Sequence, residues 1–132
     1  MTTTTKRAHP VEVEWEGVIY RVSEMTYEDA HKVLVELRAL PEDEFKNDAT
    51  AYWHIQAAFL IRSPIAVVKA EADATPLRLP FSAEAIASAP VSLVSAFGAA
   101  AIKANQATFA MVWDFLLSVR RMQPASERAS AS

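Results

Sequence analysis

The stretch TFAMVWDFLLSV, residues 108–119, holds nine apolar side chains among its twelve residues, and three of these are aromatic. If this stretch forms a helix, one face of it carries Phe109, Val112, Trp113 and Leu116. Met111 and Phe115 point elsewhere, so apolar surface covers most of the helix, and such a helix must be buried on more than one side. The tract is shorter than the about 20 residues that cross a bilayer, and Asp114 stands in its middle.

This tract has two interpretations. In the first it is a core helix of a small domain. In the second, its surface off the main stripe faces a partner protein, because Met adapts to varied apolar surfaces and exposed apolar patches mark interfaces. The candidate partner-binding residues are Phe109, Met111, Trp113 and Phe115.

The composition favours one mainly helical domain. A length of 132 residues suits a single domain. Hydrophobic residues make up 52% of the chain, slightly above the usual share of about 45–50%, so a sizeable core can form. Alanine occurs 25 times and glycine twice, a balance that favours helix. We expect a mobile N-terminal arm over residues 1–10, a single mainly helical domain over 11–122, and a disordered tail over 123–132.

Residues 11–22 carry the signature of a β-hairpin. The run Val11-Glu-Val-Glu-Trp15 alternates strictly, and the pair Glu16-Gly17 separates it from the β-branched and aromatic run Val18–Val22. Val11, Val13 and Trp15 would share one face of the hairpin. Because two strands alone are marginal in water, this hairpin must rest on another element, for which we expect a helix face.

Two helices are predicted next. Thr26, followed three residues later by Asp29, caps the first helix, which Pro41 ends. The second runs from Asp48 to Arg62 and is stopped by Ser63-Pro64. The inner faces of these helices are predicted to consist of Ala30, Val33, Leu34, Leu37 and Leu40, and of Ala51, Tyr52, Ile55, Phe59 and the stem of Arg62.

The sequence of residues 64–81 is compatible with more than one secondary structure. Their three prolines exclude one continuous helix. Residues 65–72 are compatible with a short helix or a strand, and residues 73–80 are predicted to be a loop.

Two further helices precede the apolar tract. Ser82 begins a short helix that Pro90 ends or kinks, and a longer helix begins at Val91. Gly98 in the longer helix permits a close helix contact, and Asn105-Gln106 can break that helix before the apolar tract.

The predicted fold is therefore mostly α, with four to five helices and a short N-terminal β-hairpin, or α+β by strict count. The predicted core consists of Trp15, Ile19, Val33, Leu34, Leu37, Ile55, Phe59, Val94, Ile102, Val112, Trp113 and Leu116.

The sequence contains no recognisable catalytic, cofactor-binding or metal-binding constellation, and we expect no enzyme activity. Cysteine is absent, and the three histidines, His9, His31 and His54, are predicted to be ordinary surface or boundary residues. The acidic run 42–44 lacks the alternating oxygen ligands of a calcium loop and is predicted to be a solvated link.

The charge is unevenly distributed. Residues 11–54 hold eleven acidic and four basic residues, a net charge of −7, within a total of −3. The chain has no dense basic face, so we expect neither nucleic acid nor membrane as a partner. The acidic half fits solubility or attraction to a basic partner.

The order of these features resembles the small tail assembly chaperones of long-tailed bacteriophages. The segments that carry the resemblance are Gly17-Val-Ile-Tyr-Arg-Val22, Met25-Thr-Tyr-Glu-Asp29, and Phe81-Ser-Ala-Glu-Ala-Ile86 leading through Ala89-Pro90 into a further helix. The resemblance is one of layout, covers about residues 11–105, and does not include the tract 108–119.

The resemblance implies a non-enzymatic role in the cytoplasm of a bacterial host. Proteins of that family bind the long helical tape-measure protein and shield its apolar surface until tail-tube subunits polymerise. Family members are often also made in a longer, frameshifted form.

Two other functions remain open. One is a structural virion component, such as a tail-completion or head-tail joining protein, that self-assembles as a homo-oligomer, with residues 64–81 packing against a neighbour. The other is a small inhibitor or binding module whose acidic half meets a basic target.

Overall fold

The computed structural model describes residues 8–122. Within them an antiparallel sheet of order β1-β2-β3 is formed by β1 (Val11–Trp15), β2 (Val18–Val22) and β3 (Ile65–Ala70). The α-helices are α1 (Tyr27–Arg38), α2 (Asp48–Arg62), α3 (Ala83–Ser88), α4 (Val91–Ala104) and α5 (Gln106–Met122). The prediction of a mostly helical fold with an N-terminal hairpin is confirmed. The predicted tail, and residues 1–7 of the predicted arm, lie outside the described residues.

The hairpin forms where the sequence predicts it. Glu16 and Gly17 both have positive φ, 46° and 80°, as a two-residue turn of the primed type requires. This turn sets Trp15 opposite Val18. The apolar face of β1 is half-buried against the core, and α4 lies beneath the hairpin. The helix on which the two strands were expected to rest is therefore α4.

The undecided segment supplies a third strand. β3 pairs antiparallel with β2, from Val22 opposite Ile65 to Val18 opposite Ala70, with an irregularity that leaves Val68 unmatched. β2 offers a free edge and β3 is rich in β-branched residues, and together these favour strand over helix. The loop after β3 is anchored where the Leu77 backbone N–H donates to the Tyr20 hydroxyl, at 2.7 Å.

Half of the predicted core is fully buried. The predicted core residues that are buried are Val33, Leu37, Ile55, Phe59, Val112 and Leu116. Those that are half-buried at its rim are Trp15, Leu34, Val94, Ile102 and Trp113.

The predicted inward position of Ile19 is wrong. Cross-strand partners share a face of the sheet, so the register that pairs Trp15 with Val18 turns Val18, Tyr20 and Val22 inward, where all three are fully buried. Ile19 therefore points to the opposite face and is only partly covered.

The predicted inner position of Tyr52 on α2 is also wrong. Ala51, Ile55 and Phe59 are buried and define the inner stripe of the helix. Tyr52 stands about 100° around the helix from Ala51 and is 38% exposed.

A buried asparagine joins the two ends of the segment that contains α1 and α2, which leaves the sheet after β2 and returns to it at β3. The Ser23 backbone N–H donates to the Pro64 carbonyl at 2.9 Å, so the two ends of this segment meet. Asn105, fully buried between α4 and α5, accepts from the Met25 backbone N–H at 2.7 Å and donates to the Ser63 hydroxyl at 3.0 Å. We call this set of contacts the neck.

Candidate protein-binding groove

An apolar groove lies between α2 and α4, with α3 at its side. Two of the most exposed apolar side chains among the described residues, Trp53 at 63% and Val91 at 74%, stand in its walls. Its volume is about 540 Å³. The groove is lined by Tyr52, Trp53, Gln56, Ala57, Ile61, Ala83, Ile86, Ala87, Ala89, Val91, Val94 and Ser95.

The register of α2 places the aromatic wall. Ala51, Ile55, Ala58 and Phe59 form the inner stripe of α2, and Trp53 stands on the opposite side of the helix. At Leu60, two turns later and nearly in line with Trp53, this opposite side is buried, whereas at Trp53 it is open. Aromatic side chains of this size are normally buried, and exposed apolar side chains gathered in a groove are typical of binding surfaces.

The break between α3 and α4 forms the second wall. Ser82 caps α3 by accepting from the Ala85 backbone N–H at 3.1 Å, and Ala89 and Pro90 are extended between the helices. α4 buries Leu93 and Phe97, so Val91 at its first position is left facing outward. The sequence signals that predict a short helix and a proline break thus also shape the groove.

The lining contains no Asp, Glu, Lys, Arg or His side chain. Its polar groups are the Gln56 amide, the Tyr52 and Ser95 hydroxyls, the Trp53 indole N–H and backbone. A charged group placed against this surface would lose water without gaining an ionic partner, whereas an apolar group would gain. The groove is thus suited to binding an apolar segment.

The length of the groove matches that of a short helix. The lining runs along α2 from Tyr52 to Ile61, which at about 1.5 Å per residue is about 14 Å. That length matches two to three turns of a bound helix, and helix-in-groove binding is a recurrent mode of peptide recognition.

The residues predicted for partner binding in the tract 108–119 do not form one exposed patch. Phe109 stacks on Trp113, with ring centroids 5.8 Å apart, and packs edge-on against Phe59 at 6.3 Å. Both rings are half-buried against the core. Phe115 is half-buried, with the Arg38 guanidinium 5.6 Å from its ring centroid. Met111 is 47% exposed.

Met111 belongs to a second, smaller groove between the start of α1 and α5, of about 270 Å³. Tyr27, 85% exposed, and Leu34 stand opposite it on α1. Met111 is thus a predicted partner-binding residue that the structure places in a groove.

Several ionisable groups of the described residues form pairs. His54 Nε2 lies 2.8 Å from Glu44 Oε2, Arg62 contacts Glu36, and His31 is exposed. Across residues 8–122 no group of three or more histidine or acidic side chains is arranged to hold a metal ion. None of the helices in that range is both long and apolar enough to traverse a membrane.

The groove at Trp53 was not anticipated from the sequence. On a helical wheel Trp53 falls outside the stripe of Ala51, Ile55 and Phe59, which is a signal, but the buried Leu60 lies nearly in line with it. Neither the exposure of Trp53 nor the position of α3 beside it could be inferred, because both depend on tertiary packing.

Comparison with known proteins finds no matching family model, no matching curated protein and no matching solved structure.

Proposed function

We propose that this protein is a non-enzymatic binding protein that shields an apolar helical segment of a larger partner in the groove at Trp53. The observation that carries the proposal is the combination of a lining without charged side chains and an exposed Trp53 and Val91 in its walls.

The energetics support such a role. A tryptophan buries about 150–250 Å² when fully covered, and Trp53 is 63% exposed. Covering it would remove about 100–150 Å² from water, which at about 25 cal/mol per Å² contributes about 2–4 kcal/mol before the costs of association. Trp53 alone could therefore be a main contributor to binding.

In its specific form, the proposal is that of a phage tail assembly chaperone. The layout of residues 11–105 resembles that family, and the partner would be the long helical tape-measure protein in the cytoplasm of the bacterial host. A protein that binds apolar helices without chemistry of its own fits the task of keeping such a partner soluble.

The test is affinity capture of the tagged protein from cells that express its native gene cluster, with mass spectrometry of what co-elutes. We expect one very long, helix-rich polypeptide, and we expect Trp53→Ala to lose it. Tyr27→Ala, which removes an exposed aromatic ring from the smaller groove, is the matched control and should retain it. Loss with Tyr27→Ala alone would move the binding site to Met111 and the α1–α5 groove.

A second candidate function, self-assembly as a structural virion component, has one observation in its favour. β3 is an edge strand of the described sheet, and its Val67 and Val68 are both exposed. Exposed apolar edge strands pair with other chains. Light scattering after size-exclusion chromatography tests this function: a ring-sized particle that Val67→Lys reduces to monomer would favour it over the chaperone.

A further inference from the structure

We infer that two copies of this protein pair through the outer edge of β3, so that their three-stranded sheets join antiparallel into one continuous sheet. The inference goes beyond the proposed function and does not depend on it, because none of the residues that line the groove at Trp53 lies in β3.

The outer edge of β3 is an apolar edge of the described sheet. β3 stands last in the order β1-β2-β3, and its residues after Ile65 are all exposed. Val67 and Val68, at its middle, keep 42% and 44% of their surface exposed. Such an edge presents backbone donors and acceptors beside apolar side chains and is a template for another strand.

The hydrogen bonds at the ends of β3 show which backbone groups reach this edge. The Pro64 carbonyl and the Glu71 N–H are hydrogen-bonded to the residues that flank β2. Bonded and non-bonded positions alternate along an antiparallel pair of strands. The N–H and C=O groups of Ile65, Val67 and Ala70 therefore point away from β2, toward the outer edge, where a second strand can bind them.

One antiparallel register satisfies both the faces of the sheet and the charges. With a two-fold axis between Val67 and Val68, Ala66 of each copy lies opposite Lys69 of the other. Ala66 and Lys69 both belong to the sheet face that carries Ile19, so the faces of the two sheets match. Each lysine then meets a small apolar residue and not a like charge, and the valines of the two copies cover one another.

β1, the other edge of the described sheet, is protected from the same pairing by its charges. Val11, Val13 and Trp15 share the half-buried face, and Glu12 and Glu14 the exposed one. An antiparallel pairing at the middle of β1 that keeps these faces together sets a glutamate opposite a glutamate, which is destabilising. The charges thus select β3 as the edge at which two copies meet.

The pairing closes at two copies, because an isologous contact uses the same edge of both partners. β3 contributes six residues, fewer than the about 20–30 residues a side of a standard interface. We therefore expect a dimer in measurable equilibrium with the single chain.

Sedimentation velocity of the full chain over a concentration series tests the dimer. The mass should rise from that of one chain to twice that value. Val68→Lys places a charge beside the two-fold axis and should hold the protein at the mass of one chain. Val35→Lys is the matched control, since it makes the same change at a valine of α1 that is 51% exposed, and it should retain the dimer. Circular dichroism checks that both variants are folded.

Cross-linking tests the register, because the chain has no cysteine of its own. Ala66→Cys with Lys69→Cys places thiols opposite each other across the interface, and air oxidation should give a dimer on a non-reducing gel. Within one chain these positions lie about 10 Å apart along the strand, beyond the about 7 Å that a disulfide spans. Glu28→Cys with Val35→Cys, about 10 Å apart on α1, is the control and should remain a single chain.

The contrary results are equally definite. A mass of one chain at every concentration would overturn the inference, as would a dimer that survives Val68→Lys. Growth beyond two copies would replace the isologous contact by one between β1 and β3 of successive copies. A folded Ala66→Cys with Lys69→Cys variant that cross-links no more than the α1 control would refute the register. None of these results bears on the groove at Trp53, which partner capture tests separately.

Discussion

Replacing Asn105 with alanine should destabilise the whole fold. The side chain accepts from the Met25 backbone N–H and donates to the Ser63 hydroxyl and to the Ala101 carbonyl, at 2.7, 3.0 and 2.8 Å. The Asn105 backbone N–H donates to the Ile102 carbonyl at 3.1 Å and not to the Ala101 carbonyl four residues back. The Asn105 side chain donates to the Ala101 carbonyl in its place, at the end of α4.

The magnitude follows from the groups left without partners. Asn105→Ala leaves the Met25 N–H and the Ala101 carbonyl without these hydrogen bonds, and each buried polar group without a partner costs about 1–3 kcal/mol. A loss of about 3 kcal/mol is thus expected, a large part of the about 5–15 kcal/mol by which domains are stable. With a urea dependence of about 1.5 kcal/mol per M, the unfolding midpoint should fall by about 2 M.

Urea unfolding followed by far-ultraviolet circular dichroism measures this loss. Gln106→Ala, the next residue and exposed, is the control and should remain within about 0.5 kcal/mol of the parent. A double-mutant cycle with Ser63→Ala should give a less than additive loss, because the two side chains share one hydrogen bond. Equal stability of Asn105→Ala and Gln106→Ala would refute the account of the neck.

Three further variants test other parts of the molecule, the first two by the same unfolding assay and the third by that assay and by partner capture. Gly17→Ala should cost about 1–2 kcal/mol, because φ is 80° and the new Cβ would lie 2.9 Å from a carboxylate oxygen of the loop after β3; an unchanged midpoint would contradict the turn geometry. Gly98→Ala should stay within about 1 kcal/mol of the parent, because the gain in helix propensity offsets the displacement of Gln56; a larger loss would mean that Gln56 cannot move. Met111→Asp with Phe115→Asp should retain the partner in the capture assay, because the proposed binding site is the groove at Trp53; loss of the partner by a variant that still folds would move the interface to the tract 108–119, and unfolding would mean that these side chains belong to the core.

The local features of the fold were predictable because local signals determine them. Thr26 accepts from the Asp29 backbone N–H at 3.2 Å as the cap of α1, and α2 spans Asp48 to Arg62 as predicted. The break after α4 falls at Asn105. In each case a cap, a proline or a polar residue acts within one turn of the boundary.

The features that the sequence left open depend on distant partners. β3 became a strand because β2, far away along the chain, offered it an edge, and no local signal contains that information. The outward turn of Ile19 followed from the register at the hairpin, which alternation within β2 alone does not specify.

The candidate site was the least predictable part. The apolar tract 108–119 drew attention because of its composition, yet Phe109 and Trp113 mainly pack on the core. Trp53 lies in an unremarkable helix and became part of a groove only when α3 and α4 packed beside α2. A concave surface arises from tertiary placement, so composition alone did not locate it.

The neck also determines when folding can be completed during synthesis at the ribosome. The α1–α2 pair and all three strands precede residue 71, but the side chain that ties Met25 to Ser63 is at position 105. Until α4 has emerged, the Met25 amide must be satisfied by water, and the inward side chains of β2 lack the helix that covers them. A nascent chain that stalls before Asn105 would thus expose both the open neck and the bare inner face of the sheet, and would be a substrate for general chaperones and proteases.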